Sequence, residues 1–234
     1  MTQKRMLSFF NSNLFSAILA TIAFCLMTFF AVVFEQSILR LLPFYMSLFV
    51  RILHSRANRF GHLIGGLNAI LYGMVYLYYR LYGSMLYAFF ISCPIQLITF
   101  FVWSRRSYKK TTVFRSLSNR SRLLILGAVI TAYIVYVWYM LNNAENANFI
   151  YIDSVIFILG LFSPVLTLCA FYEYTYFQLA SQIFSIILYV LMTLQSPEVS
   201  CYVVFSVYAL ICIARQTINV VLLRKEQVLQ KGDV

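Results

Sequence analysis

The chain has 234 residues, 62% of them hydrophobic and only 11% charged, with a mean hydropathy of +0.82. A soluble domain is nearer half apolar and a quarter charged, so no water-facing fold could hide this much apolar surface. The net charge of +11 is then a question of where the charges lie before it is a nucleic-acid footprint, and nucleic acid is not a predicted partner.

A hydrocarbon slab takes about 20 apolar residues per helix. Eight segments approach that length between charged or turn-forming breaks: 14–34, 37–53, 60–79, 83–103, 123–141, 153–172, 176–194 and 199–221. The prediction is an all-α polytopic membrane protein. The first segment is the cleanest; Lys4 and Arg5 precede it as in a signal peptide, but the run is too long for an h-region and lacks a small-residue cleavage site, so it reads as a span. The second is the weakest, because it holds Arg40, Pro43 and Arg51.

Orientation follows from the basic residues. With the N-terminus cytoplasmic, the inner segments hold Lys4, Arg5, Arg51, Arg56, Arg59, seven basic residues between 105 and 122, and Arg224, Lys225 and Lys231, together 15 of the 18 Lys and Arg. Arg40 and Arg80 fall outside, and Arg215 sits within the last span, snorkelling inwards. Adding or losing one helix would invert every later loop, so this asymmetry argues for eight spans with both termini cytoplasmic, in the cell membrane. The basic stretch 104–122 reads as a topological signal with some attraction to anionic lipid headgroups. The five cysteines lie in apolar runs without CxxC spacing and read as small buried hydrophobes.

Sliding the sequence by 117 residues superposes spans two to four on spans six to eight, with Tyr72 on Tyr189 and Asn68 on Ser185. Three helices, a connector and three more make a parallel repeat, a class that places solute between its copies near mid-membrane. The predicted organisation is 1–36 as N-terminus and peripheral helix, 37–103 as first repeat, 104–152 as basic loop and connector helix, 153–225 as second repeat, and 226–234 as tail.

Within the spans, Gly61, Gly65, Ala69 and Gly73 form a ridge that lets another helix approach closely. Beside it, Asn68, Tyr72 and Tyr76 make an i, i+4, i+8 column. Span four offers Ser92, Gln96 and Thr99, span six Ser163 and Thr167, and span seven Gln178, Gln182, Ser185 and Tyr189. An amide facing lipid leaves donors and acceptors unpaired at several kcal/mol, so these residues point inwards. Two readings stay open: hydrogen bonds between helices, or a cavity whose amides and aromatic rings hold a polar planar solute. Trp103 and Trp138, near span ends, read as headgroup anchors. Pro43, Pro94 and Pro164 lie within spans as hinges or static kinks. No mid-span carboxylate marks an ion relay and no Walker, HExxH or nucleophile-elbow motif is present, so neither a cofactor nor an enzymatic activity is expected.

Residues 65–106 resemble the PnuC-type family of bacterial vitamin transporters, known for nicotinamide riboside. The resemblance rests on Gly65, Asn68 and Leu71-Tyr72, the step Leu81-Tyr82-Gly83, the pair Pro94-Ile95-Gln96 and the closing Trp103. Weaker matches, Ile152-Asp153-Ser154 and Ser185 to Tyr189, extend it to about 37–225. It implies a three-plus-one-plus-three fold like that of the SWEET sugar transporters. It also implies facilitated diffusion of a vitamin or nucleoside, trapped through phosphorylation by a cytoplasmic kinase that is a metabolic rather than a physical partner. The family's polar site carries over at Asn68 and Gln96; where the family often has Trp and then Asn, this chain has Gln178 and Gln182. Relatives of the fold carry thiamine, riboflavin or deoxynucleosides. The expected partners are thus the small-molecule solute and the lipid bilayer, with a homo-oligomer left open. The alternatives are a substrate-binding subunit of an energy-coupling vitamin importer and a sensory or structural helical protein.

Overall fold

The structure, a computed structural model, describes residues 12–35, 38–78, 85, 87–143, 149–195, 197 and 200–232. Ser12 opens α1 (Asn13–Val33), its hydroxyl accepting the Phe15 amide at 3.0 Å and satisfying one donor that a helix start leaves orphaned. α2 (Ile38–Ser55) and α3 (Phe60–Tyr78) follow. α4 begins as a π-helical turn, Tyr87–Ser92, and continues as α-helix over Cys93–Arg105. Pro94 has no amide hydrogen for the turn before it, and the widened turn lies where a regular helix would meet that defect. α5 (Asn119–Asn143), α6 (Ile150–Leu168), α7 (Tyr174–Gln195) and α8 (Ser200–Gly232) complete the described helices. Each of the eight predicted segments overlaps one of them. Six, α1 and α4 to α8, are long and apolar enough to cross a membrane, and Leu41–Ser55 of α2 forms a shorter apolar helix.

The helices close a ring. α2 packs on α3 and α3 on α4; α6 packs on α7 and α7 on α8; α4 then meets α6, and α8 meets α2. Each triplet thus offers its last helix to the other's first, an arrangement of two-fold character. α1 lies outside, against α2 and α8, and α5 rests chiefly on α6, where Tyr136 stacks on Phe157 at 4.6 Å. Large apolar side chains point outwards from these two helices, Val32 at 72% and Leu124 at 74% exposure. That is tolerable only where the surrounding medium is hydrocarbon.

The first helix of each triplet ends in the same way. After α2, the Ala57 amide donates to the His54 carbonyl and the Asn58 amide to the Leu53 carbonyl; after α6, Ala170 donates to Thr167 and Phe171 to Leu166. Both alanines are left-handed, with φ of 50° and 59°. This paired bonding uses two carbonyls that a helix end leaves over. Positions 57 and 170 differ by 113 rather than by the 117 read from the sequence. The discrepancy is four residues, about one helical turn, which is why the faces still matched at 117.

Residues 104–118 are not a loose basic loop but a folded latch. A short hairpin, β1 (Ser107–Tyr108) with β2 (Thr111–Thr112), turns at Lys109, whose ammonium bonds Glu226 at 2.6 Å. The Arg59 amide donates to the Lys110 carbonyl, and Arg115 pairs through its backbone with Ala170 and Tyr172. Gln227 closes the latch, its Oε1 accepting the Phe114 amide at 2.9 Å and its Nε2 donating to the Thr112 carbonyl at 3.0 Å. The end of α8, beyond the span predicted to stop at 221, exists to make these contacts. Glu173, buried after α6, accepts from the Leu117 amide and from Arg122 at 3.0 Å each.

Three further expectations are corrected by burial. Trp103 is 1% exposed and donates its indole N–H to the Thr167 carbonyl at 2.9 Å, so it is a core residue; Trp138, 66% exposed, can serve as an anchor. Arg215 does not snorkel but is buried, with Nη1 donating to Ser16 Oγ at 2.5 Å. Cys93, Cys201 and Cys212 are buried, whereas Cys25 and Cys169 face outwards.

Candidate solute site

Helices α2, α3, α4, α6, α7 and α8 all contribute to the wall of one chamber of about 640 Å³ inside the ring. Its polar lining comes from Ser47, Arg51 and His54 on α2, His62, Asn68 and Tyr72 on α3, Ser92, Gln96 and Thr99 on α4, Thr167 on α6 and Gln178 on α7. The lining also repeats across the two triplets. Ser47 and Gly160, Arg51 and Pro164, His54 and Thr167, Gly65 and Gln178, and Ser92 and Phe205 all face the chamber, and each pair is 113 positions apart.

Two of the amides are positioned by their neighbours. Asn68 donates through Nδ2 to the Pro43 carbonyl at 3.2 Å and to Ser47 Oγ at 2.9 Å. Its two donors spent, the Asn68 Oδ1 is buried with no partner among the described residues, as are Gln178 Oε1 and His62 Nε2. Buried polar atoms are normally paired, and such exceptions mark sites completed by water or by a ligand. Gln96 donates to Ser92 Oγ at 3.3 Å, and its Oε1 lies over Gly65, where a Cβ would sit 1.9 Å from it. Gly65 is therefore glycine because the Gln96 amide occupies the space a side chain would need.

An aromatic cluster packs beside Tyr72. Phe44 makes edge contacts with Tyr72 at 5.9 Å, Tyr202 at 5.0 Å and Phe205 at 5.6 Å, and Tyr202 in turn meets Tyr189 at 5.4 Å. The Tyr72 hydroxyl shares a hydrogen bond with Ser47 at 3.2 Å. At the latch end, the His54 and His62 rings stand 4.5 Å apart and His62 meets Trp103 at 4.6 Å. Trp103 belongs to a buried cluster with Phe114, Leu166 and Tyr174 that fills the bundle below the histidines.

Of the eight side chains expected at the site, Asn68, Tyr72, Gln96 and Gln178 line the chamber. Gln182 is buried and donates to the Ser206 carbonyl at 3.3 Å, a bond between α7 and α8. Ser185 donates to the Ser181 carbonyl of its own helix, and Tyr189 lies behind the chamber in the aromatic cluster. The side chain of Tyr76 lies outside the described residues. Arg51, His54 and His62 were not expected there. The signal is Ser47, Arg51 and His54 at i, i+4 and i+7, one face of a helix; counted along the chain, Arg51 is an inner-end charge that weakens the second span.

A ring of apolar helices, of which α4, α6, α7 and α8 are long enough to cross a membrane, around a polar chamber of solute size defines a polytopic membrane carrier. The profile of the nicotinamide mononucleotide transporter family matches residues 37–215, well over half of the sequence, and the chain belongs to that family of membrane transporters. Among solved structures, the crystal structure of the vitamin B3 transporter PnuC matches with a TM-score of 0.72 at 19% identity. The match covers 91% of this chain and 93% of that one, so the two share a fold. A search of curated proteins returns no match.

Proposed function

We propose that this multi-pass protein carries a vitamin- or nucleoside-type solute across the cell membrane by facilitated diffusion, with nicotinamide riboside the reference compound of the class. The observation that carries the reading is the chamber itself. It is solute-sized, it is shared by both triplets, and its walls hold two amide oxygens, of Asn68 and Gln178, that have no partner among the described residues. A hydroxyl or carboxamide N–H of a planar solute supplies the missing donor, and Tyr72 supplies an aromatic face. Asn68, Tyr72, Gln96 and Gln178 are the proposed contacts, with Gln182, Ser185 and Tyr189 supporting them from α7.

Both termini are proposed to be cytoplasmic, since the latch and its arginines gather at the end where α1 begins. The segments 37–103 and 153–225 are proposed as copies of one duplicated unit. No catalytic step is needed. Solute equilibrates through the chamber, and a cytoplasmic kinase or the next consuming reaction keeps it inside.

Purified protein in liposomes is expected to exchange labelled nicotinamide riboside, or thiamine, riboflavin or a deoxynucleoside if one of those is preferred, without ATP or an ion gradient. Gln96→Ala should weaken binding by about 1–3 kcal/mol, because the solute's polar group loses its partner. Normal binding by both Gln96→Ala and Gln178→Ala would mean that these amides only bridge helices.

A further inference from the structure

At the outer side of the latch, where α4 and α8 leave their spans, lies a second recess of about 700 Å³ that shares no lining residue with the solute chamber. Four arginines line it: Arg105 from the end of α4, Arg106 at its cap, Arg115 from the latch and Arg224 from α8. No aspartate or glutamate stands on its wall among the described residues.

None of the four guanidinium groups makes a hydrogen bond or an ion pair among the described residues, and the Arg224 Nε is shielded from solvent without a partner. The contrast with their neighbours is direct. Lys109 and Arg122 belong to the same basic stretch but lie outside the recess, and each is answered by a carboxylate, Glu226 and Glu173. Both acids near the latch are thus spent on charges outside the recess, and the four inside are left facing one another. A topological signal needs only positive charge on one side of the membrane. It does not require Arg224, from the far end of the chain, to converge with three latch arginines on one cavity.

Unopposed like charges repel, and planar guanidinium forks gathered without a carboxylate form the donor set that recognises phosphate by charge-assisted, bidentate hydrogen bonds. The hydroxyls of Ser107 and Ser116 stand on the same wall. Basic pockets where helices leave a bilayer take the headgroups of anionic lipids. Depth fits that source, since the membrane-length stretch of α4 ends at Arg105, and α8 exposes Leu222 at 45% and Leu229 at 70% on either side of Arg224. A soluble phosphate compound offers the same group from the aqueous side.

We infer that this recess is a binding site for a phosphate-bearing anion, and that occupying it fastens the latch to the ends of α4 and α8. The bound phosphate bridges Arg105 and Arg106, Arg115 and Arg224, three parts of the chain that the Gln227 and Lys109 contacts already draw together. This site is distinct from the solute chamber and holds whichever solute the chamber carries.

Limited chymotrypsin digestion of the full chain in nanodiscs tests it, because that protease cuts beside Tyr108 and Phe114 and is indifferent to arginine substitutions. Discs of phosphatidylcholine alone are compared with discs containing phosphatidylglycerol, and with phosphatidylcholine discs given inorganic pyrophosphate. Cleavage between 104 and 118 should slow about threefold or more with at least one of these anions, since a ligand of the closed latch lowers the population of the open one. Protection by phosphatidylglycerol alone identifies a lipid headgroup, and protection by pyrophosphate alone a soluble ligand. Arg106→Gln/Arg224→Gln should lose the protection, yet without an anion it should be cut no faster than the unmodified protein, because two unanswered charges have gone. Arg120→Gln/Lys225→Gln removes the same charge outside the recess and should keep the protection. No protection of the unmodified protein by either anion overturns the site whether or not the variants fold. So does an equal loss of protection in both double variants, which would mean a diffuse attraction to the basic face.

Discussion

Gly65→Ala tests the chamber at its tightest point. The added Cβ would stand 1.9 Å from Gln96 Oε1 and 3.0 Å from Gln96 Cδ, with Val50 next at 3.5 Å. The first two atoms belong to the far end of a flexible side chain, so the backbone of α3 and α4 need not separate; the Gln96 amide turns aside instead. Turning it costs about 0.5–1.5 kcal/mol in a poorer rotamer. It also loses the 3.3 Å bond to Ser92, worth about 0.5–1.5 kcal/mol. The melting temperature should therefore fall by only a few degrees, while solute affinity drops about 5- to 30-fold, the range that one to two kcal/mol spans. A double-mutant cycle isolates the cause. In a Gln96→Ala background the methyl has nothing to displace, and Gly65→Ala should become close to neutral for both stability and binding, a coupling of about 1–2 kcal/mol. Gly73→Ala is the contrast, since its Cβ would meet the Phe89 ring at 2.6 Å; a rigid ring cannot swing away as an amide can, and stability rather than selectivity should suffer. The reasoning is refuted if Gly65→Ala binds solute normally, or if its effects persist undiminished when Gln96 is already alanine.

Trp103→Ala should destabilise the protein by about 3–5 kcal/mol, as for other buried large aromatics, and would leave the Thr167 carbonyl with the Ala170 amide of the helix cap but without the indole; thermal unfolding in detergent reads this. Gln227→Ala removes the partners of the Phe114 amide and the Thr112 carbonyl. At about 1–3 kcal/mol for each buried group left unpaired, the latch should open, and limited proteolysis should cut between 104 and 118 in the variant before the unmodified protein. Thiol labelling with a maleimide should modify Cys169, which is exposed at the latch end, well before Cys93, Cys201 or Cys212, which are buried; equal rates for all four would contradict the packing.

The sequence by itself determined the class of protein and the order of its spans. A chain this apolar has no alternative to hydrocarbon, and spans of membrane length are set by a one-dimensional count that needs no partner. It also determined that Asn68 and Gln96 turn inwards, because each stands on a helical face that lipid would penalise. Tertiary structure decided which inward residues share a space. Gln182 is as polar and as inward as Gln178, yet four residues along α7 it meets the Ser206 carbonyl of α8 while Gln178 meets the chamber. That difference depends on helix rotation and on what stands opposite, which periodicity does not encode. The repeat shows the same boundary. A helix returns to the same face after about one turn, so the sequence could find the duplicated pattern at 117 but could not distinguish it from 113. The two left-handed caps at Ala57 and Ala170 fix the register, because a helix end, unlike a helix face, occurs once. Arg51 is the sharpest case. Along the chain it is one more positive charge near an inner end, and only the ring of six helices places that charge on a wall with no acid to answer it.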